Sequence, residues 1–185
     1  VGGTLTTSAE GITVKGADEV LLVLVGATDF DPYSATYVSG TTGLENAVKD
    51  RVDQAAAKDW GTLYSAHVLD YRTYNDRVDF ELEGAANTMP TDELIRTYAG
   101  RTTGTEDYAL MLEQLYFHYG RYLEISSSRG VDLPSNLQGI WNNNSEPAWN
   151  SDIHSNINVQ MNYWPAEPTN LSEMHLPFLN YIHNM

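Results

Sequence analysis

Between Thr105 and Ser128 the residues Leu112, Leu115, Tyr116, Tyr119, Tyr122 and Leu123 recur at three- and four-residue spacing. Held over about 20 residues, that period predicts one long amphipathic helix, closed by the Ser126, Ser127, Ser128 run. Two further helices are expected upstream, at residues 44–58 and 63–75, and Thr91 is placed to cap a fourth over 92–99. Downstream, a helix is expected from about Asn156 to Trp164, where Pro165 restricts its predecessor. A last helix should begin after Asn170, with Glu173 completing a capping box and Pro177 inside it.

Before residue 31 the text changes to β-branched residues punctuated by glycine, and two or three strands are predicted there. The apolar run at residues 20–25 reads as a strand buried on both faces. A short strand is also expected at residues 78–82, VDFEL, from its alternation. Residues 1–30 are therefore expected to finish an N-terminal β domain, residues 31–104 to form a helical linker, and residues 105–185 to open an all-α domain. The fold class is mixed and mainly α, and long helices joined by functional loops suit an α/α arrangement.

Composition narrows the partners. Ten basic against twenty-five acidic residues give a formal charge of −15, which argues against a polyanion such as nucleic acid. The longest apolar run, six residues, is too short for a membrane span, so no membrane insertion is expected. There is no cysteine, and the five histidines show no metal-binding spacing, so neither a metal site nor a cofactor is expected. No signal peptide is visible at Val1, and the chain reads as an excised piece.

Chemistry concentrates between Leu133 and Trp164. Asn136, Gln138, Asn142, Asn143, Asn144, Asn150, Asn156, Asn158, Gln160 and Asn162 alternate there with Trp141, Trp149, Tyr163 and Trp164. Amides donate and accept hydrogen bonds, and indole faces stack on apolar faces. That combination suits a neutral, hydroxyl-rich ligand such as a sugar. On an extended segment Asn156 and Asn158 would point to one side and hold a small ligand such as a water. Spacing alone favours the plainer reading, in which Asn156 caps the following helix. His154 would share the extended face, although a lone histidine is more often a structural hydrogen-bonder. Trp141, Trp149 and Trp164 are stacking candidates, or packing anchors at a helix–loop junction; a tryptophan facing solvent in a pocket decides between them. Glycoside hydrolysis usually needs two carboxyl groups, and Glu146, Asp152, Glu167 and Glu173 offer no pair at diagnostic spacing. Asp152 is as well suited to tying down its own loop. Arg121 is placed either to meet a buried carboxylate or to sit exposed.

Three linked motifs carry a resemblance: YFHYGRYLEISSSR at 116–129, LPSNLQGIWN at 133–142 and WNSDIHSNINVQMNYWPAEPTNLSE at 149–173. They closely resemble glycoside hydrolase family 95, the inverting α-L-fucosidases with some α-L-galactosidases. Looser agreement at Asp18 to Phe30, His67 to Tyr71, Arg77-Val78 and Pro90 to Asp92 extends it over most of the chain. Gly130 departs from it, since many relatives have proline after the arginine. The resemblance implies an N-terminal β domain, a helical linker, an (α/α) barrel of six hairpins and a C-terminal β domain, of which this chain would hold the end of the first, the linker and the opening of the barrel.

It also implies that Asn156 and Asn158 orient the attacking water, which reverses the preference from spacing alone, and that His154 contacts the sugar. The general-acid glutamate and its partner aspartate would lie further along the barrel, so no residue here takes their roles. The candidate substrate-binding residues are His154, Trp149, Trp141 and Gln138. The expectation is part of an inverting exo-glycosidase that removes terminal α-L-fucose, 1,2-linked, or L-galactose from glycans outside the cytoplasm: periplasmic, at the cell surface or secreted. By itself the chain should be inactive and prone to self-association. The alternative is a non-catalytic carbohydrate-binding or structural module.

Overall fold

Alternating Thr, Leu and Val residues near the start pair as β1 (Thr4–Ser8) and β2 (Gly11–Lys15), antiparallel, with Ser8 opposite Gly11 across a two-residue turn. This is the whole of the sheet in the computed structural model, which describes residues 2–185. The rest is mainly helical, and the chain divides into two units, one ending at Val68 and the other Leu69–Met185.

In the first unit the run at residues 20–25 is neither a strand nor buried: Leu24 is 96% exposed. A strand covered on both faces needs partners on its edges and layers above and below, and β1 and β2 do not extend to it. Helix α1 (Leu44–Ala56) follows as its periodicity predicts, and α2 (Trp60–Asn75) begins in the first unit and ends in the second.

The second unit is built on α4 (Asp107–Ser128), the predicted long helix of 22 residues. Ahead of it, the Glu106 carboxylate accepts N–H bonds from Thr102, Thr103 and Gly104 at 2.8–3.1 Å. Those donors favour the ionised form and hold this carboxyl well below the usual range. Helix α3 (Thr91–Tyr98) packs on α4 through buried Leu94 and Ala109. Thr91 is the first helical residue of α3 and not its cap, because Pro90 occupies the capping position.

Residues 78–82 do not form a strand. Their alternation is used differently: Val78, Phe80 and Leu82 are half-buried and alternate with exposed Asp79, Glu81 and Glu83, and the segment lies along α4. Phe80 packs on Phe117 at 4.4 Å between ring centroids. The Phe80 carbonyl accepts from the His118 ring at 3.0 Å, and the Leu82 N–H donates to Gln114 Oε1 at 3.0 Å. Side chains of a helix satisfy here the backbone groups that a neighbouring strand would have satisfied.

Helices α5 (Asn158–Tyr163) and α6 (Ser172–Asn184) close the core. Ile125, Leu171 and Met174 pack against Tyr71 and Tyr74, while Val159, Tyr163 and Phe178 pack against Ile153. Leu171 holds the capping position of α6 without a side-chain cap bond, so Glu173 completes no capping box. Its carboxylate instead accepts from both terminal guanidinium nitrogens of Arg77, at 2.8 and 2.9 Å. Arg121 meets neither a carboxylate nor solvent. It is 2% exposed and donates to the carbonyls of Tyr74 and Asn75, both at 2.9 Å, and of Thr169 at 3.3 Å. A cation at the carboxyl end of α2 is favoured by the helix dipole as well as by these bonds.

Candidate functional site

The loop between α4 and α5 is fastened by amide groups at short range. Asn136 accepts the N–H of Gln138 on its side chain at 2.8 Å and exchanges backbone bonds with Gly139, which makes a tight turn. Gly139 has φ +70°, and a Cβ added there would lie 2.8 Å from the Trp141 ring, so glycine is favoured on both counts. Further along, Trp149, Asn150 and Ser151 are all left-handed, at φ 49°, 56° and 51°. Asp152 ties this second turn to the first with its backbone, donating to the Trp149 carbonyl and accepting from the Leu137 N–H at 3.1 Å.

Ile157 is left-handed too, at φ 67°, immediately before α5. Among the described residues, four of the six non-glycine residues with positive φ are therefore Trp149, Asn150, Ser151 and Ile157. A β-branched residue in that region is strained, and strain of this kind collects where a structure must aim side chains.

These turns bring Gln138, Trp149, His154 and Asn158 around one cavity of about 390 Å³, completed by Leu137 and Ala148. Trp149 is 73% exposed at its edge, a tryptophan facing solvent in a pocket. The Ser151 hydroxyl donates to Gln138 Oε1 at 2.8 Å, which leaves the Gln138 NH₂ as the group it can offer. His154 Nδ1 is buried and has no hydrogen-bond partner. A buried ring nitrogen left unpaired costs stability, and a ligand hydroxyl placed there would satisfy it.

Asn156 lines a shallower depression with Asp152, Ile153, His154 and Ser155. The left-handed Ile157 between the two asparagines makes the segment neither extended nor helical, and His154 is shared by both hollows. Asn156 is not the cap of α5, since Ile157 occupies that position. Trp141 faces a second cavity, of which Gln138 is again a wall. Trp164 lines none of these hollows.

Among the carboxylates weighed from sequence, Glu167 is engaged by the Ser172 hydroxyl and by His175 at 3.1 Å, which lower its pKa, and Glu173 is held by Arg77. Glu124 escaped that reading. It sits in α4 with both oxygens buried and unpartnered, and burial pushes its carboxyl up to about 7. The signal available was an acid between Leu123 and Ile125, one helical turn after Arg121. Among the described residues no three His, Asp or Glu side chains converge as metal ligands would.

The chain is similar in sequence to known proteins. Alpha-L-fucosidase 2 of Arabidopsis thaliana is 33% identical over 183 residues, covering 98% of this chain and 22% of its own length. Probable alpha-fucosidase A of Aspergillus niger is 37% identical over 175 residues, 91% of this chain and 21% of its own. Its namesake from Aspergillus oryzae is 34% identical over 183 residues, 96% and 25%. The chain thus spans a quarter or less of the length of each of these relatives. Residues 59–185, the helical part that carries α2 to α6 and the cavity, match the glycosyl hydrolase family 95 catalytic domain, and the chain belongs to that family.

Proposed function

We propose that this chain forms part of an exo-acting, inverting α-L-fucosidase that hydrolyses terminal α-L-fucosyl, 1,2-linked, or the related L-galactosyl residues of glycans. The observation that carries the reading is the cavity where Gln138, Trp149, His154 and Asn158 meet, with His154 Nδ1 buried and unpaired. The names of the relatives support the sugar, and the amide and indole lining supports a neutral, hydroxyl-rich ligand.

In this reading His154 and Gln138 bond to sugar hydroxyls, Trp149 covers an apolar sugar face, and Trp141 meets the remainder of the glycan. Asn156 and Asn158 orient a water against the anomeric carbon. Its oxygen bonds to that carbon as the glycosidic bond breaks, its proton passes to an aspartate, and a glutamic acid protonates the leaving oxygen. Both carboxyl groups come from the rest of an (α/α) barrel of six hairpins, which residues 105–185 open after an N-terminal β domain ending near residue 30 and a linker over 31–104. The chain alone is then inactive on an aryl α-L-fucoside. Substrates of this kind place the enzyme in the periplasm, at the cell surface or outside the cell.

Asn158 is exposed at the first position of α5 and makes no cap bond, so its removal costs the fold little. In the full-length protein Asn158→Ala should lower kcat by about 10²-fold or more with the unfolding temperature unchanged, the size expected when one preorganised polar group is lost. Undiminished turnover sinks the water-orienting role. Sugar binding with no turnover in the full-length wild type favours the non-catalytic module instead.

A further inference from the structure

Gln138 stands in the wall of a second cavity, of about 400 Å³, formed by α4, the loop after it and the α5 region. Glu124 lines it from α4, 6% exposed, and neither of its oxygens has a hydrogen-bond partner. Its neighbour Ile125 is core, so a leucine at 124 would cost nothing in desolvation, whereas a lone buried carboxyl does. Such a group is retained at a cost that a ligand can offset.

The other walls indicate which ligand. Trp141 and Tyr116 supply aromatic rings to the lining. The Asn162 side-chain nitrogen is spent on Ser135 Oγ at 3.3 Å and the Asn136 carbonyl at 3.0 Å, so its own carbonyl oxygen is what it can offer. Gln138 brings an NH₂, because Ser151 occupies its oxygen. With the two oxygens of Glu124, the lining is rich in acceptors and includes two aromatic side chains. It matches a molecule with several hydroxyl donors and an apolar face.

We propose that this second cavity is a saccharide subsite for the sugar on the leaving-group side of the bond, with Glu124 accepting hydrogen bonds from its hydroxyls and Trp141 stacking on its face. The assignment rests on the reading of the first cavity as the fucose site, with which it shares Gln138.

The test uses the full-length protein, with Glu124→Leu and the near-isosteric Glu124→Gln. Two substrates are compared: an α-fucosylated lactose, and α-L-fucosyl fluoride, whose leaving group is too small to enter the subsite. Glu124→Leu should lower the ratio of kcat/KM for the fucosylated lactose to that for the fluoride by about tenfold, through KM, as the loss of a hydrogen bond to a charged group predicts. Glu124→Gln, which stands in should the leucine variant not fold, should lower it less. An unchanged ratio, or equal losses on both substrates, overturns the subsite. Lactose titrated against tryptophan fluorescence separates the two readings. If the wild type hydrolyses neither substrate, the fucosidase reading fails. Lactose binding weakened by Glu124→Leu still supports the subsite, and absent or unaltered binding ends it.

Discussion

Glu124 is costly to the folded chain in a way that pH reveals. In the unfolded chain it titrates near its ordinary value of 4.5, while burial in the folded chain pushes it up to about 7. As pH rises from 4.5 the unfolded state releases this proton first. Stability therefore falls across that window, and the penalty is complete above about pH 7. Glu124→Leu removes the penalty without opening a void. Thermal unfolding should show the variant close to wild type at pH 4.5 and more stable at pH 8, by up to about 3 kcal/mol. An equal effect at both pH values would mean that the carboxyl titrates normally. The sequence marks this residue only as an acid between Leu123 and Ile125, and since a glutamate every few positions is ordinary on a long helix, only the packing around α4 shows which of them faces inward.

At the scale of elements, Arg121 joins α4 to the end of α2 and to the turn before α6 through three backbone carbonyls. The Tyr74 and Asn75 carbonyls otherwise receive only long backbone bonds, at 3.4 Å. Arg121→Met keeps much of the side-chain volume and removes all three donors. It should cost about 2–4 kcal/mol in denaturant unfolding, and Arg121→Lys should recover little, since one ammonium cannot serve three carbonyls arranged around a planar fork. A loss under about 0.5 kcal/mol would show the carbonyls to be satisfied without it. Elements of this kind were unequally legible. Helix α4 was plain because its apolar residues keep three- and four-residue spacing from Leu112 to Leu123. Residues 78–82 misled because alternation is equally the mark of an extended segment lying on a helix, and the Gln114 and His118 side chains that replace a strand's partners lie far along the sequence. The hollows around His154 depend on four left-handed residues, none of them glycine, which no propensity points to. What was readable at the site was its chemistry, amides and indoles in one stretch, and what was not was which of them share a cavity.

At the scale of the whole molecule, apolar surface and charge oppose each other. Tyr116 and Tyr119 on α4, Leu176, Leu179 and Ile182 on α6, and Leu22 and Leu24 in the first unit are all exposed. Surface of that extent on a protein is a driving force for association. Against it stands a formal charge of −15, whose repulsion keeps copies apart where salt is too dilute to screen it. The chain expressed by itself should therefore be monomeric in dilute buffer and associate progressively as salt is added, more strongly with sulfate than with chloride at equal ionic strength, because sulfate also favours burial of apolar surface. Light scattering across a salt series reads this directly. Association driven by ion pairs would run the other way and dissolve on adding salt, and a monomer that persists at high protein concentration in sulfate would mean that these side chains are covered by the chain itself.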